Sequence, residues 1–124
     1  MLQLDAIGIV SSNLERSRAF YHLLGIDFAD GDDHIEAALP NGVRLMLDTE
    51  EVIIGFWPNW RRETGNQVAL AFACGSPGEV DETYARIVGA GFEGEKDPWD
   101  AFWGQRYAQV RDPDGVPVDL FASL

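Results

Sequence analysis

Asp119 is the side chain of this sequence best placed to do chemistry. It lies in Val116-Pro117-Val118-Asp119-Leu120-Phe121, where Val116, Val118 and Leu120 alternate with Pro117, Asp119 and Phe121. A period of two marks a strand with one apolar and one mixed face. A carboxylate on the mixed face, among hydrophobic neighbours, needs a partner, water or a ligand. Other groups able to recognise a small molecule stand in two clusters. One is Trp99, Phe102, Trp103, Arg106 and Tyr107, just upstream of Asp119; the other is Phe56, Trp57 and Trp60, followed by Arg61 and Arg62. Indole rings offer broad stacking surfaces, and also serve as core or subunit packing. Arg106 and Tyr107 fall on opposite faces of an extended segment. Arg106 could pair with Asp119 or a ligand anion, or make a surface ion pair worth little. Glu93, Glu95, Asp97 and Asp100 around Trp99 form either a solvated loop or a place where charge and ring face together attract a cation.

Other chemistries find less support. His22 reads as a helix-surface residue and His34 as a solvated strand end, and neither has metal-motif spacing. There is no Gly-x-Ser-x-Gly and no phosphate-binding glycine loop. Cys74 ends an apolar run with no histidine nearby in sequence, as a core cysteine does. No pair of carboxylates stands out for acid–base work.

The elements that must position Asp119 begin with a turn. Asp112-Pro113-Asp114-Gly115 is a tight reversal, because Pro presets one turn angle and Gly takes the left-handed one. Gln105–Arg111 before it is extended, which makes a hairpin. The hairpin has a twin: Pro40-Asn41-Gly42-Val43-Arg44-Leu45-Met46-Leu47 repeats Pro113-Asp114-Gly115-Val116-Pro117-Val118-Asp119-Leu120, so Met46 stands where Asp119 stands. Upstream, Ser12-Asn13-Leu14-Glu15 and Ser76-Pro77-Gly78-Glu79 both read as capping boxes that open helices. The first helix carries Phe20, Leu23 and Leu24 and stops at Gly25. The second carries Val80, Tyr84, Ile87 and Val88 and stops at Gly89. Apolar runs at Leu4–Val10 and Gln67–Cys74 precede them as strands.

Four signals in the same order describe a duplicated strand–helix–three-strand unit. Strands are expected at Phe28–Ala29, His34–Leu39 and Val43–Asp48 in the first copy, and Thr49–Asn66 reads as a connection with some extended structure. The expected fold is α+β: two tandem β-α-β-β-β modules, residues ~1–50 and ~66–124, whose sheets curl into an eight-stranded cup.

At 124 residues the chain is one domain by size, and 46% hydrophobic residues suffice for a core without staples. A single cysteine excludes an internal disulfide and suits a reducing compartment. No apolar run reaches membrane-spanning length and the N-terminus lacks a signal pattern, so a cytoplasmic location with no membrane partner is expected. A net charge of −12 argues against nucleic acid as a partner, because phosphate contacts need a basic patch. The same charge favours solubility and attracts cations.

Over essentially its whole length the chain resembles the vicinal oxygen chelate superfamily, which includes glyoxalases, bleomycin-resistance proteins and extradiol dioxygenases. The resemblance rests on Ile7-Gly8-Ile9-Val10 leading into Asn13-Leu14-Glu15-Arg16-Ser17, on Phe20-Tyr21 and Leu24-Gly25, and on Trp103-Gly104-Gln105-Arg106-Tyr107-Ala108 running into Arg111-Asp112-Pro113-Asp114-Gly115. It implies paired β-α-β-β-β modules and commonly a homodimer. It also implies, in the metal-dependent members, ligands that map here to Ala6, Met46, Ala69 and Asp119. Only Asp119 is ligand-capable, and one carboxylate does not hold a divalent ion. Because the Trp-Gly-x-Arg segment lies beside the pocket in the similar resistance proteins, Trp103 leads the ring candidates, with Trp57 and Trp60 next.

The expectation is a homodimeric small-molecule binding protein that sequesters an aromatic compound, neutral or cationic, without a cofactor or metal. Its ligand would meet Met46, Trp57, Trp60, Phe102, Trp103, Arg106 and Asp119. The alternative is a lyase or isomerase of glyoxalase type, or an extradiol-type dioxygenase, with Zn, Ni, Mn or Fe bound through unexpected ligands. Asp119 would then be catalytic. A third reading is a module that acts only through another protein, using its aromatic connection.

Overall fold

The computed structural model describes every residue except Thr64, which falls within the connection expected between the modules. The chain divides into two compact units, Met1–Glu63 and Thr64–Leu124. Among the described residues no helix is long and apolar enough to cross a membrane.

In the first unit, β1 (Ala6–Ser11) leads into α1 (Leu14–His22), followed by β2 (His34–Ala38), β3 (Arg44–Thr49) and α2 (Glu50–Phe56). The sheet order is β1-β3-β2, with β1 parallel and β2 antiparallel to β3. Helix α1 starts one residue later than the Ser12 signal implied. Asn13 is the cap and accepts from the Arg16 N–H at 3.1 Å. Strand β1 runs through Ser11, whose buried hydroxyl bonds Ser17 at 2.6 Å and ties the strand end to the helix. The helix buries Ser17, Phe20 and Tyr21, while Leu23 and Leu24 sit past its end, half-buried. Gly25, at φ +83°, turns the chain so that the Ile26 N–H reaches back to the Tyr21 carbonyl.

Two expectations for this unit are corrected. Phe28–Ala29 forms no strand, so the described residues hold seven strands rather than eight. Phe28 is buried and the Ala29 N–H donates to the Glu36 carbonyl, but the Asp30-Gly31-Asp32-Asp33 turn follows at once and a ladder cannot propagate. The stretch after Thr49 opens as helix α2, not extended chain. The Thr49 hydroxyl caps it by accepting from the Val52 N–H, Glu50 and Glu51 complement the helix dipole in the first turn, and Ile53 is buried beneath it. These local terms outweigh the strand preference of Val52-Ile53-Ile54.

The second unit runs β4 (Leu70–Ala73), α3 (Pro77–Gly89), β5 (Glu93–Asp100), β6 (Gln105–Arg111) and β7 (Pro117–Ser123). Its sheet order is β4-β7-β6-β5, parallel only between β4 and β7. Ser76 caps α3 by accepting from the Glu79 N–H at 3.1 Å, and Glu79 reaches back to the Gly75 N–H at 2.9 Å. Helix α3 lies on β5, β6 and β7. Val80, Ile87, Ala108, Val110, Val118 and Leu120 are fully buried between them. Each of the buried valines, Ile87 and Leu120 contributes about 1.5–3 kcal/mol.

The twin turns adopt the same hydrogen bonds. Gly42 donates to the Leu39 carbonyl and Gly115 to the Asp112 carbonyl, at φ of +88° and +86°. The Asp112 carboxylate further accepts from the Asp114 and Val116 N–H groups, both at 2.8 Å. The α+β architecture of two tandem modules is thus in place, and each turn fixes the register of the strand after it.

Candidate functional site

The Asp112–Gly115 turn sets Arg111 opposite Pro117, and alternation then sets Gln109 opposite Asp119 and Tyr107 opposite Phe121. Gln109, Asp119, Tyr107 and Phe121 lie on the face away from the buried Ala108, Val110, Val118 and Leu120. Asp119 is half-buried and accepts two hydrogen bonds. The Tyr107 hydroxyl donates to one oxygen at 2.5 Å, and the Gln109 amide donates to the other at 2.7 Å. Burial, and then the bond to Asp119, push the Tyr107 phenol up to about 12, so at neutral pH it stays protonated and remains a donor.

Rings gather around Tyr107, the donor to this carboxylate. Tyr107 stacks on Phe121, with centroids 6.3 Å apart and planes 23° apart. It meets Trp99 edge-on at 5.5 Å and Trp103 edge-on at 5.4 Å, while Trp99 and Trp103 touch each other at 5.9 Å. Phe102 stands edge-on to Trp103 at 5.0 Å and is 97% exposed; Trp103 is 48% exposed, its indole N–H donating to Gln105. Lys96 places its ammonium 5.0 Å over the Trp99 ring.

Arg106 does not join this group. It points to the helix side of the sheet, where it bonds Asp81 on α3 at 2.9 Å and Asp100 at 3.1 Å. The Asp81 bond is the main cause of its raised pKa. The partner of Asp119 is therefore Tyr107 with Gln109, not arginine.

The equivalent row in the first unit is chemically different. Met46 pairs with Gly8 on one side and Glu36 on the other, as Asp119 pairs with Ala71 and Gln109. Ala6 opens β1 opposite Arg44, and Ala69 precedes β4. Polar groups cluster next to Met46. His34 bonds Asp48 at 2.5 Å and Glu36 at 2.8 Å, Glu36 also accepts from Arg44, and Arg44 reaches Asp5. Hydrogen bonds to Glu36 and then Asp48 raise the His34 pKa above 6.5, and His34 in turn lowers Glu36. Instead of standing alone at a strand end, His34 cross-links β2 to β3.

Trp57 and Trp60 lie elsewhere in that unit. With Asn59, Arg61, Arg62 and Glu63 they line a recess of about 390 Å³. Arg62 packs over the Trp60 ring at 5.4 Å and pairs with Glu50 at 3.2 Å.

Neither unit fits a divalent ion held in the manner of metal-dependent relatives. Met46, Ala6 and Ala69 offer no hard donor, which leaves Asp119 as the one ligand-capable side chain of the four. Among the described residues no three His, Cys, Asp or Glu side chains gather as a donor set.

Sequence reasoning singled out Asp119, Trp99 and Trp103, which the fold sets on one sheet, and Trp57 and Trp60, which line a separate recess; it did not single out Gln109, Lys96 or the His34 cross-link. Gln109 was recoverable, because the turn fixes its register. Lys96 was not, because the irregularity in β5 that turns it to this face leaves no mark on the alternation pattern.

Known proteins place the chain consistently. The family model for the glyoxalase/bleomycin resistance protein/dioxygenase superfamily matches residues 3–120. A glyoxalase/bleomycin resistance protein/dioxygenase family enzyme from Burkholderia phytofirmans superposes with a TM-score of 0.88 at 16% identity, covering 99% of this chain and 100% of that one. A glyoxalase-related enzyme from Fulvimarina pelagi gives 0.87 at 22% identity, covering 99% and 89%. A glyoxalase/bleomycin resistance protein/dioxygenase from Nocardioides gives 0.78 at 26% identity, covering 100% and 85%. No curated protein matches the chain significantly. With the family model spanning nearly every residue and the fold shared end to end, the chain belongs to the glyoxalase/bleomycin resistance protein/dioxygenase superfamily.

Proposed function

We propose that the chain is a small-molecule binding protein that sequesters an aromatic compound carrying a cationic centre, without a resident metal. The observation that carries this reading is the Asp119 carboxylate, held by Tyr107 and Gln109 among Trp99, Trp103 and Phe121. A ligand amine would meet the carboxylate while its ring packs against the half-exposed Trp103, with Phe102 as an outer wall. Ring contact and cation–π attraction are worth about 0.5–2 kcal/mol each in such settings. A chain net charge of −12 adds long-range attraction for cations. The family description includes bleomycin resistance proteins, and binding without turnover is the role we assign here. The chain would work as a homodimer in the cytoplasm, with the exposed Phe56 and Trp57 available for subunit contact.

Titration with aromatic amines, from phenethylamine to an aminoacridine, tests this through tryptophan fluorescence. At least one amine should quench saturably, and Trp103→Ala should weaken it about tenfold. No saturable response across the panel would overturn the reading.

A further inference from the structure

Lys96 is the chain's single lysine, and the fold goes out of its way to bring it to the Asp119 face. It lies three residues before Trp99, an odd spacing that puts two side chains on opposite faces of a regular strand. Strand β5 is not regular there. Its register against β6 shifts between Gly94 and Lys96 and again between Lys96 and Trp99. Irregularities of this kind re-aim side chains, and they are enriched beside functional sites. As a result Lys96 pairs with Gln109 and Trp99 with Tyr107, so both stand on the face that carries Asp119.

The face is therefore a grid. One cross-strand row is Lys96, Gln109 and Asp119; the next is Trp99, Tyr107 and Phe121. The first row has a cation at one end, a carboxylate at the other and an amide between them that holds the carboxylate at 2.7 Å. Two strand spacings separate its ends, on the order of 10 Å. The second row is an aromatic floor of the same length. The Lys96 ammonium rests over Trp99 at 5.0 Å and forms no ion pair with a described carboxylate, while the nearby Glu95 is taken by Arg111 at 3.1 Å. A positive charge kept beside the rings, in a chain of net charge −12, is poorly explained by attraction of a simple cation.

We infer that the site takes a bipolar ligand: a rod-shaped aromatic compound with an amine at one end, bound by Asp119, and a carboxylate or similar anion at the other, bound by Lys96. This rests on the proposed binding of an aromatic cation and narrows its chemical class. The two charges make the site directional and select against compounds bearing either charge alone. A purely cationic aromatic meets repulsion from Lys96, and a purely anionic one meets repulsion from Asp119.

Calorimetric titration with three biphenyls tests this: aminomethylbiphenylcarboxylate, aminomethylbiphenyl and biphenylcarboxylate. The wild-type chain should bind the bipolar compound about tenfold or more tightly than the amine, and the acid least well. Lys96→Met should abolish that preference by weakening the bipolar compound and strengthening the amine, whereas Lys96→Arg should retain it. Lys96 is exposed, so the variants should keep the wild-type circular dichroism spectrum. If the amine binds as tightly as the bipolar compound, or if the preference survives Lys96→Met, the inference falls while the proposed binding of an aromatic cation stands. If neither amine-bearing compound binds, both fall together.

Discussion

Asp119 suits the proposed ligand because it is supported, not because it is strained. Its two donors, Tyr107 and Gln109, fix the carboxylate before any ligand arrives, so binding does not have to order it. Asp119→Asn should keep the fold and weaken an aromatic amine about tenfold, whereas Asp119→Ala, which strands two donors, should also cost about 1 kcal/mol of stability. The phenol of Tyr107 provides an independent readout. Asp119→Asn should lower it from about 12 part of the way towards 10, because burial is the larger cause and persists. Phenolate absorbance, with the Tyr107→Phe spectrum subtracted, would show this, and an unmoved phenol would contradict the assigned bond. The sequence showed that Asp119 needed a partner. Arg106 and Tyr107 are adjacent, so composition does not choose between them; the register set by the Asp112–Gly115 turn does, and it puts Tyr107 and Gln109 on the Asp119 face.

The elements were most legible where backbone chemistry is local. The Ser76 start and Gly89 end of α3 and both turn–strand pairs are written in short motifs that need no tertiary help, while α1 is capped by Asn13 rather than Ser12 and ends at His22, ahead of Gly25. Helix α2 is the exception, because local signals compete there: Val52-Ile53-Ile54 looks extended but forms a helix under its Thr49 cap, with Ile53 buried. Strand β2 offers an element-scale prediction. His34 links it to β3 through Asp48, and to Glu36, which Arg44 and Asp5 complete. The folded-state pKa of His34 is raised, so its contribution is fully present below 6.5 and fades as pH rises through the raised value. His34→Gln should therefore lower the denaturation midpoint at about pH 6 more than at about pH 9. An equal loss at both would mean that packing of the ring, not its charge, holds the strands.

Across the whole molecule, duplication supplies two equivalent rows that have diverged. One holds Gly8, Met46 and Glu36; the other holds Ala71, Asp119 and Gln109. The repeat is readable from the twin turns at Pro40–Gly42 and Pro113–Gly115, because each is a short run of residues with its own backbone preference. The division of labour between the rows is not readable that way, because it depends on neighbours from three strands at once. A net charge of −12 also acts at this scale, and raising ionic strength from low to physiological should slow association of an aromatic amine several-fold. An unchanged rate would confine the electrostatics to the site.

Metal-free binding of an aromatic cation by Asp119 and the rings around Tyr107 is the reading proposed for this chain. Its most direct test is calorimetric titration of chelator-treated protein with aminomethylbiphenyl, beside Asp119→Asn under the same conditions. Saturable binding by the metal-stripped wild type, weakened about tenfold in the variant, is the predicted result. Binding that appears only after a divalent ion is restored, or that is indifferent to Asp119, would contradict the claim.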